Sequence, residues 1–570
     1  MADQDINQLR HSAAHLLAHA LLELFPKTIL TIGPATKDGF FYDFLPETNL
    51  KESDLPAIEA RMLEIANRNL PIEHTQIPKA KARELFKGNW FKLELIDGIP
   101  DDTAGLATQG DFHDLCKGGH VASTGLLKHF KLLNISGSYW RADRNDQPLQ
   151  RISGVVFFTE KELNDYLTLR EEAMKYDHRK LGKQMDLFSF HDEGVGFPFF
   201  HPKGKIILNI MAAYMRKQLE KFEYKEISTP IMLNEELWKQ SGHYAHYKEN
   251  MYFCHMHEDQ ETYAVRPMNC PGSALLYRER PRSYRDLPLR LAEFGLDHRY
   301  EISGALHGLF RVRAFTQDDG HIYCTVDQIK QEVLSTITMV HEVMHKFGFE
   351  KISIRLSTRP EKSLGTDEFW AKAEQSLKDA LDAAGAQYII QEGEGAFYGP
   401  KIEFHIEDAM GRTWQCSTVQ LDFFLPQNFD LTYVNSHGQK EYPVVIHRAI
   451  YGTFERFLGV MTEHYKGNFP FWLSPVQVKV LTITDEQRAY ADNIMQQLKK
   501  AEIRSEMDES SDPISGKIKS AQLDKIPWML VIGNKEVENK TVTLRHRDGR
   551  QEFGLSLEDV IARGQELNRF

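Results

Sequence analysis

Paired cysteines are missing. The five cysteines in 570 residues (Cys116, Cys254, Cys270, Cys324 and Cys416) are an odd, sparse set with no Cys-x-x-Cys spacing. That argues against a disulfide framework and for a reducing compartment. No apolar run reaches membrane-spanning length; Leu16 to Phe25 is too short and is broken by His19 and Glu23. The start, Met1 to Asp5, is acidic and carries no apolar core or small-residue cleavage site. A secretory leader is therefore not expected, and the expected location is cytoplasmic with no membrane partner. No internal repeat or low-complexity tract is visible. Positive charge is short as well: 69 Lys and Arg stand against 81 Asp and Glu, a net charge of −12. Such a total does not advertise a nucleic-acid binder, yet a basic face can coexist with it, so nucleic-acid binding stays open.

What is present fits an ordinary globular protein, with 42% hydrophobic and 26% charged residues. A chain of 570 residues is too long for one core, and three or four domains are expected. Residues 8–25 have helical periodicity, with Leu9, Leu16, Leu17, Leu21, Leu22 and Phe25 as the apolar set. Gly33 and Pro34 end that segment, and Gly39 to Phe44 reads as a strand. Residues 160–185 are charged and helix-prone, and read as a connecting helix solvated on most of its surface. Helices are expected near 203–222 and 325–347 in a middle block that ends at Trp472, where Pro470 and Pro475 flank a boundary. The last hundred residues alternate strand and helix, the pattern of a small α/β domain. The expected divisions are 1–159, 160–185, 186–471 and 472–570.

Three segments carry chemistry. The first is Tyr224 to Pro230, a helix end followed by a strand closing in proline. The second is Arg299-Tyr300-Glu301, a loop, and Arg311 to Phe315. The third is Ala449 to Arg456. A strand-borne arginine offers a planar fork of donors to carboxylate and phosphate oxygens. A lone arginine is more often one half of a surface ion pair, but three such segments in order argue against that fate. Together they resemble the signature set of class II aminoacyl-tRNA synthetases. The resemblance implies an α+β multidomain fold: an antiparallel sheet flanked by helices, an N-terminal α+β editing domain and a C-terminal α/β anticodon-binding domain. It also implies that Tyr224–Pro230 builds a homodimer interface. Arg299 and Arg311 would neutralise charge at the α-phosphate of ATP, which enters with Mg2+. Phe315 would stack on adenine, Glu301 would accept from its amino group, and Arg456 would hold the γ-phosphate. Gly452 would allow close backbone approach to the nucleotide.

Further segments narrow the family. Met268 to Gly272 (MNCPG), Thr316 to His321 (TQDDGH) and Val445 to Ala449 (VIHRA) resemble threonyl-tRNA synthetases. The resemblance implies one zinc ion per subunit on Cys270, His321 and His447, with the fourth position open for substrate. These ligands are too far apart for spacing alone to identify the site. Such an ion answers a selectivity problem, since an apolar pocket separates the near-isosteres threonine and valine by no more than about a hundredfold. Valine's methyl group cannot coordinate. Asp319 would accept the hydroxyl proton of L-threonine. Gln317, Tyr398 and Gln415 match residues lining the amino-acid and ATP sites. His243 matches a histidine proposed to assist deprotonation of the terminal ribose. One departure stands out: Ser273 follows Gly272 where relatives usually carry histidine, so local repacking or a lost contact behind Cys270 is expected.

Serine retains both coordinating groups and lacks only a methyl, worth about 1–3 kcal/mol, so a second, hydrolytic site is expected. His11 and His15 share a helical face, and Cys116 and His120 follow a Cys-x-x-x-His spacing. The quartet can be read as a zinc site or as a metal-free set that activates water. The N-terminal block resembles the editing domain of bacterial threonyl-tRNA synthetases, which implies metal-free hydrolysis of mischarged serine, with Tyr42, Lys92 and Asp114 as further site positions. His19 reads as structural. Most bacterial members carry a ubiquitin-like domain ahead of this block, whereas this sequence begins almost directly at His11.

The last block resembles the anticodon-binding domain of several class II synthetases, and Glu536 and Arg545 match positions that read bases of tRNA(Thr). Lys535, Lys540, Arg547 and Arg550 could contact phosphates, though for each single lysine a solvated face is the better reading. Two alternatives are a paralogue that binds RNA without charging and a class II enzyme for proline or serine. Arg299, Arg311 and Arg456 weigh against the first. Cys270, His321 and His447 weigh against both.

Overall fold

A computed structural model describes residues 5–143, 146–256 and 261–569. The sequence reading of Met1 to Gln4 lies outside the described residues. The chain divides into two compact units, Met1–Glu171 and Glu172–Phe570, the division falling inside the helix Glu160–Lys175.

In the first unit, the helix Ile6–Leu24 starts where the Asp5 carboxylate accepts from the backbone N–H of Asn7 at 2.8 Å. Its buried face carries Leu9, Leu16, Leu17 and Leu21, which share a core with Phe40, Tyr42 and Phe44 of the strand Phe40–Leu45. Leu22 and Phe25, read as part of the apolar set, are only half-buried at its margin. That strand belongs to a four-stranded sheet in the order Ile29–Leu30, Phe40–Leu45, Pro148–Phe157, His129–Tyr139. A separate three-stranded sheet joins Ile72–Pro78, Thr103–Gln109 and Phe112–Leu115.

The single connecting helix expected over 160–185 is two helices, Glu160–Lys175 and His178–Gln184. Asp177 breaks the run by capping the second, its carboxylate accepting from the Arg179 N–H at 2.8 Å. The first helix buries no residue, as expected. The second is not solvated, since it buries His178, Leu181 and Gly182.

The second unit is built on an eight-stranded sheet. Its order is Lys225–Glu226, Leu289–His298, Ala314–Cys324, Val444–Thr453, Thr413–Asp422, Lys401–Glu407, Ile352–Ser357, Tyr388–Gln391. Pairing is antiparallel throughout except at the two outermost pairs. Helices Pro202–Lys221, Ile329–Lys346 and Phe454–His464 contribute their apolar faces to its largest core. Register does the positioning. Across the central pair His321 faces His447 and Asp319 faces Ala449, so residues distant in sequence reach one spot on the sheet.

The C-terminal part has its own core. Its five-stranded sheet runs Ser505–Asp508, Val478–Thr482, Trp528–Ile532, Val542–His546, Gln551–Leu555. The first three strands are parallel and the last two antiparallel, so the expected strand–helix alternation ends in a hairpin. The strand Gln551–Leu555 and the helix Asn534–Asn539 add to the elements read from sequence. Among the described residues no helix is long and apolar enough to cross a membrane.

Candidate functional site

Six residues expected around a nucleotide, Arg299, Glu301, Arg311, Phe315, Gln415 and Arg456, line one cleft of about 680 Å3 in the second unit, together with Gln317. The Arg299 guanidinium sits 5.0 Å from the centre of the Phe315 ring, and its Nε donates to the carbonyl of Pro267 at 3.2 Å. Glu301 and Arg311 pair with each other at 3.0 Å. Arg456 lies in the first turn of the helix Phe454–His464, its N–H capped by the Thr453 hydroxyl at 3.1 Å. Its Nε is buried and has no hydrogen-bond partner among the described residues. A helix N-terminus and an unspent guanidinium donor beside the cleft make a place for an anion. Gly452 does line the cleft, with a φ of +82°, but a Cβ there would meet the Cys416 carbonyl at 2.6 Å. The sheet, as well as any ligand, demands glycine. The Gln415 amide donates to Glu403 at 2.7 Å, and Lys401 lies 2.6 Å from the same oxygen. Burial disfavours charge on Glu403, but His405 and Lys401 together hold its pKa down to about 2.

The three expected zinc ligands come together: Cys270 Sγ and one nitrogen each of His321 and His447 all lie within 4.8 Å of one another. Cys270 opens the helix Cys270–Arg278. Burial, which Asp319, Asp422 and Asp297 reinforce by repulsion, drives its thiol well above the ordinary range. Burial also pushes His321 down to about 4, which leaves it neutral, and its Nε2 has no hydrogen-bond partner among the described residues. A neutral imidazole with an unused buried nitrogen, a thiol among carboxylates and a second imidazole are a donor set suited to a divalent cation; these residues fit zinc. His447 Nε2 lies 3.1 Å from Asp422.

A recess of about 20 Å3 beside these groups is lined by His243, Tyr398 and Asp422 together with Cys270 and His447. Tyr398 donates to Gln420 at 2.5 Å. His243 lies 2.7 Å from the Ser241 hydroxyl through Nδ1 and 3.7 Å from Cys270 Sγ through Nε2. Asp319 Oδ2 accepts from the Asn269 amide at 3.0 Å. Ser273, the departure from the family pattern, is buried and pairs with the Tyr323 hydroxyl at 2.9 Å.

In the first unit, His11, His15, Lys92, Asp114 and Cys116 line a cleft of about 880 Å3. Tyr42 and His120 are not part of its lining but contact residues that are. Tyr42 donates to Asp114 at 2.6 Å, and His120 Nε2 lies 2.9 Å from Cys116 Sγ. Left-handed Gly118 and Gly119, with φ of +98° and +83°, turn the chain so that Cys116 and His120 meet. Asp114 is the hub, buried and in contact with Tyr42, Lys92 and His15. Burial opposes charge on His15, but the Asp114 carboxylate raises its pKa to about 9. Burial likewise opposes the Cys116 thiolate, while His11, His120 and His15 lower its pKa to about 3. The quartet His11, His15, Cys116 and His120 also has its ligand atoms within 4.8 Å of one another, so its geometry suits a metal ion as well as a water molecule. His19, outside this cleft lining, stacks on Phe112 with ring centres 5.0 Å apart and bonds Gln109.

In the C-terminal sheet, both Glu536 oxygens are engaged, one by the Gly533 N–H at 2.9 Å and one by the Thr543 hydroxyl at 2.8 Å. Arg545 keeps a buried Nε without a hydrogen-bond partner among the described residues. Several groups at these sites went unassigned in the sequence: Asn269 inside a quoted motif, and Asp422 and Glu403 with no motif. Only strand register brings the last two in.

The fold and the arginine-lined cleft define a class II aminoacyl-tRNA synthetase. Residues 252–465 match the tRNA synthetase class II core domain (G, H, P, S and T), 477–567 the anticodon binding domain, and 105–153 the threonyl and alanyl tRNA synthetase second additional domain. The threonine–tRNA ligase of Carboxydothermus hydrogenoformans is 51% identical over 99% of this chain and 90% of its own length. That of Clostridium tetani is 49% identical over 97% of this chain and 87% of its own. A solved structure described as the RNA binding domain of threonyl-tRNA synthetase from Cryptosporidium parvum is 42% identical, with a TM-score of 0.64, covering 69% of this chain and 98% of that one. The chain belongs to the threonine–tRNA ligase family.

Proposed function

We propose that this ligase, which charges tRNA with threonine, activates the amino acid in the Arg299–Arg456 cleft and discards mischarged serine at the Cys116 cleft. The supporting observation is that Arg299, Glu301, Arg311, Phe315, Gln317, Gln415 and Arg456 line one cavity of about 680 Å3. ATP enters as its Mg2+ complex, adenine against Phe315 and the phosphates toward Arg299, Arg311 and Arg456. Binding exchanges the Glu301–Arg311 pair for nucleotide contacts at a cost of about 1 kcal/mol or less, because the pair is exposed. A threonine carboxylate oxygen attacks the α-phosphorus and pyrophosphate leaves. The Arg299 fork steadies the charge that builds on the phosphoryl oxygens. The terminal ribose hydroxyl then attacks the threonyl carbonyl and AMP departs, with His243 assisting removal of the hydroxyl proton.

Cys270, His321 and His447 would hold one zinc ion, which when bound supplies a Lewis-acid position that threonine's amino and hydroxyl groups complete and valine's side chain does not. Asp319 takes the hydroxyl proton, and Gln317, Tyr398 and Gln415 shape the surrounding wall. In the first unit the Cys116–histidine set and Asp114 orient a water for attack on the seryl ester, with no metal. Glu536 and Arg545 read anticodon bases, and Tyr224–Pro230 forms the face of a homodimer. The domains follow residues 1–159, 186–471 and 472–570, the first two joined by 160–185, in a cytoplasmic enzyme.

Threonine-dependent ATP–pyrophosphate exchange tests the activation site: Arg299→Ala should lower it at least a hundredfold, as expected for about 3 kcal/mol of lost charge stabilisation, and wild-type exchange from that variant refutes it. Charging assays test the editing site: Cys116→Ala should accumulate Ser-tRNA(Thr) at unchanged threonine activation, and equal, low Ser-tRNA from both proteins refutes it.

A further inference from the structure

His178 has no exposure to solvent, and both ring nitrogens are committed. Nδ1 lies 2.7 Å from Oε1 of Glu463, the same oxygen that accepts the His178 backbone N–H at 2.9 Å. Nε2 accepts the backbone N–H of Leu309 at 3.0 Å. These two bonds assign the tautomer: the proton sits on Nδ1, facing the carboxylate, and Nε2 offers its lone pair to the amide. Asp177, His178 and Glu463 are close enough to hold a metal ion, but the imidazole has no nitrogen left for one.

The partners give the contact its meaning. Leu309 and Phe310 line the cleft that holds Arg299 and Arg456. Phe310 lies with its ring centre 4.1 Å from that of His178 and 4.3 Å from that of Trp414. Gly308 completes the grip, since a Cβ there would come within 2.2 Å of His178 Nε2. Glu463 belongs to the helix Phe454–His464, whose first turn carries Arg456, and its other oxygen pairs with Arg412 at 2.5 Å. One imidazole therefore ties the cleft wall at 308–310 to the far end of the helix that presents Arg456.

We propose that His178, on the second connector helix, is a positioning residue for ATP: it holds the Gly308–Phe310 segment in the shape the nucleotide requires. This rests on reading the Arg299–Arg456 cleft as the ATP site. Its chemistry is separable by two substitutions. Asparagine places an amide N–H near the Nδ1 position and keeps the bond to Glu463, but cannot reach the Leu309 amide. Glutamine places a carbonyl near the Nε2 position and keeps the acceptor for that amide.

Pyrophosphate exchange is measured for wild type, His178→Asn, His178→Gln, Gly308→Ala and Arg299→Ala, varying ATP and threonine in turn. His178→Asn should raise KM for ATP about tenfold, the effect of leaving one buried donor unpaired, with KM for threonine changed by less than about twofold. His178→Gln should recover most of the loss. Gly308→Ala, which keeps the imidazole but forces it and the 308 backbone apart, should reproduce the selective rise and serves if His178→Asn does not fold. Equal shifts in both KM values, or no difference between the asparagine and glutamine variants, overturns the proposal. If Arg299→Ala retains wild-type exchange, the reading of the cleft has failed instead.

Discussion

The side-chain amide of Asn269 donates to Oδ2 of Asp297 at 2.9 Å and to Oδ2 of Asp319 at 3.0 Å, holding two buried carboxylates on one nitrogen. Asp319 in turn lies 3.8 Å from His321 Nε2. Behind Asp297 stands Arg266 at 3.5 Å, which also bonds Glu293 and the Thr229 hydroxyl. A continuous polar chain thus runs from the Tyr224–Pro230 segment to the carboxylate assigned to threonine's hydroxyl.

Removing the bridge should loosen Asp319. Asn269→Ala is expected to raise KM for threonine about tenfold while leaving KM for ATP nearly unchanged, as fits one lost charge-assisted bond. Exchange kinetics with each substrate varied check this.

The Cys116 thiol, with its pKa held near 3, is a thiolate throughout the usual assay range. An ordinary thiol, near roughly 8.5, gains reactivity about tenfold per pH unit below that value. Alkylation of Cys116 by iodoacetamide, followed by peptide mass spectrometry, should therefore be flat between pH 5 and pH 8. A rise of that ordinary size contradicts the assignment.

Lys92 is buried against Asp114 and completes the charge balance of the first unit's cleft. Lys92→Met leaves Asp114 with His15 as its remaining cationic partner. A loss of roughly 3–5 kcal/mol is expected for breaking a buried pair from one side. Thermal unfolding should show it as a lowered transition, with editing of Ser-tRNA lost and threonine-dependent exchange retained.

How much of this was legible beforehand follows from how each feature is encoded. Helices such as Ile6–Leu24, Pro202–Lys221 and Ile329–Lys346 announce themselves through apolar periodicity, because one face must be buried. The break at Asp177 was missed because capping by one side chain leaves no trace in a charged, helix-prone run. Cys270, His321 and His447 have no informative spacing and were reached only through the family resemblance; strand register is what brings the two histidines face to face. His178 and Glu463 are 285 residues apart, and no local pattern links them. Ser273 was expected to leave a repacked or missing contact; in the fold it pairs with the Tyr323 hydroxyl, whose ring stacks on Tyr277 at 4.5 Å.

The most direct measurement is the metal content of purified, active enzyme, taken beside its threonine-dependent exchange, for wild type and Cys270→Ala. Wild type should carry about one zinc ion per chain and exchange with threonine but not valine, and Cys270→Ala should lose metal and exchange together. Full threonine-dependent exchange from metal-free protein would contradict selection at Cys270, His321 and His447.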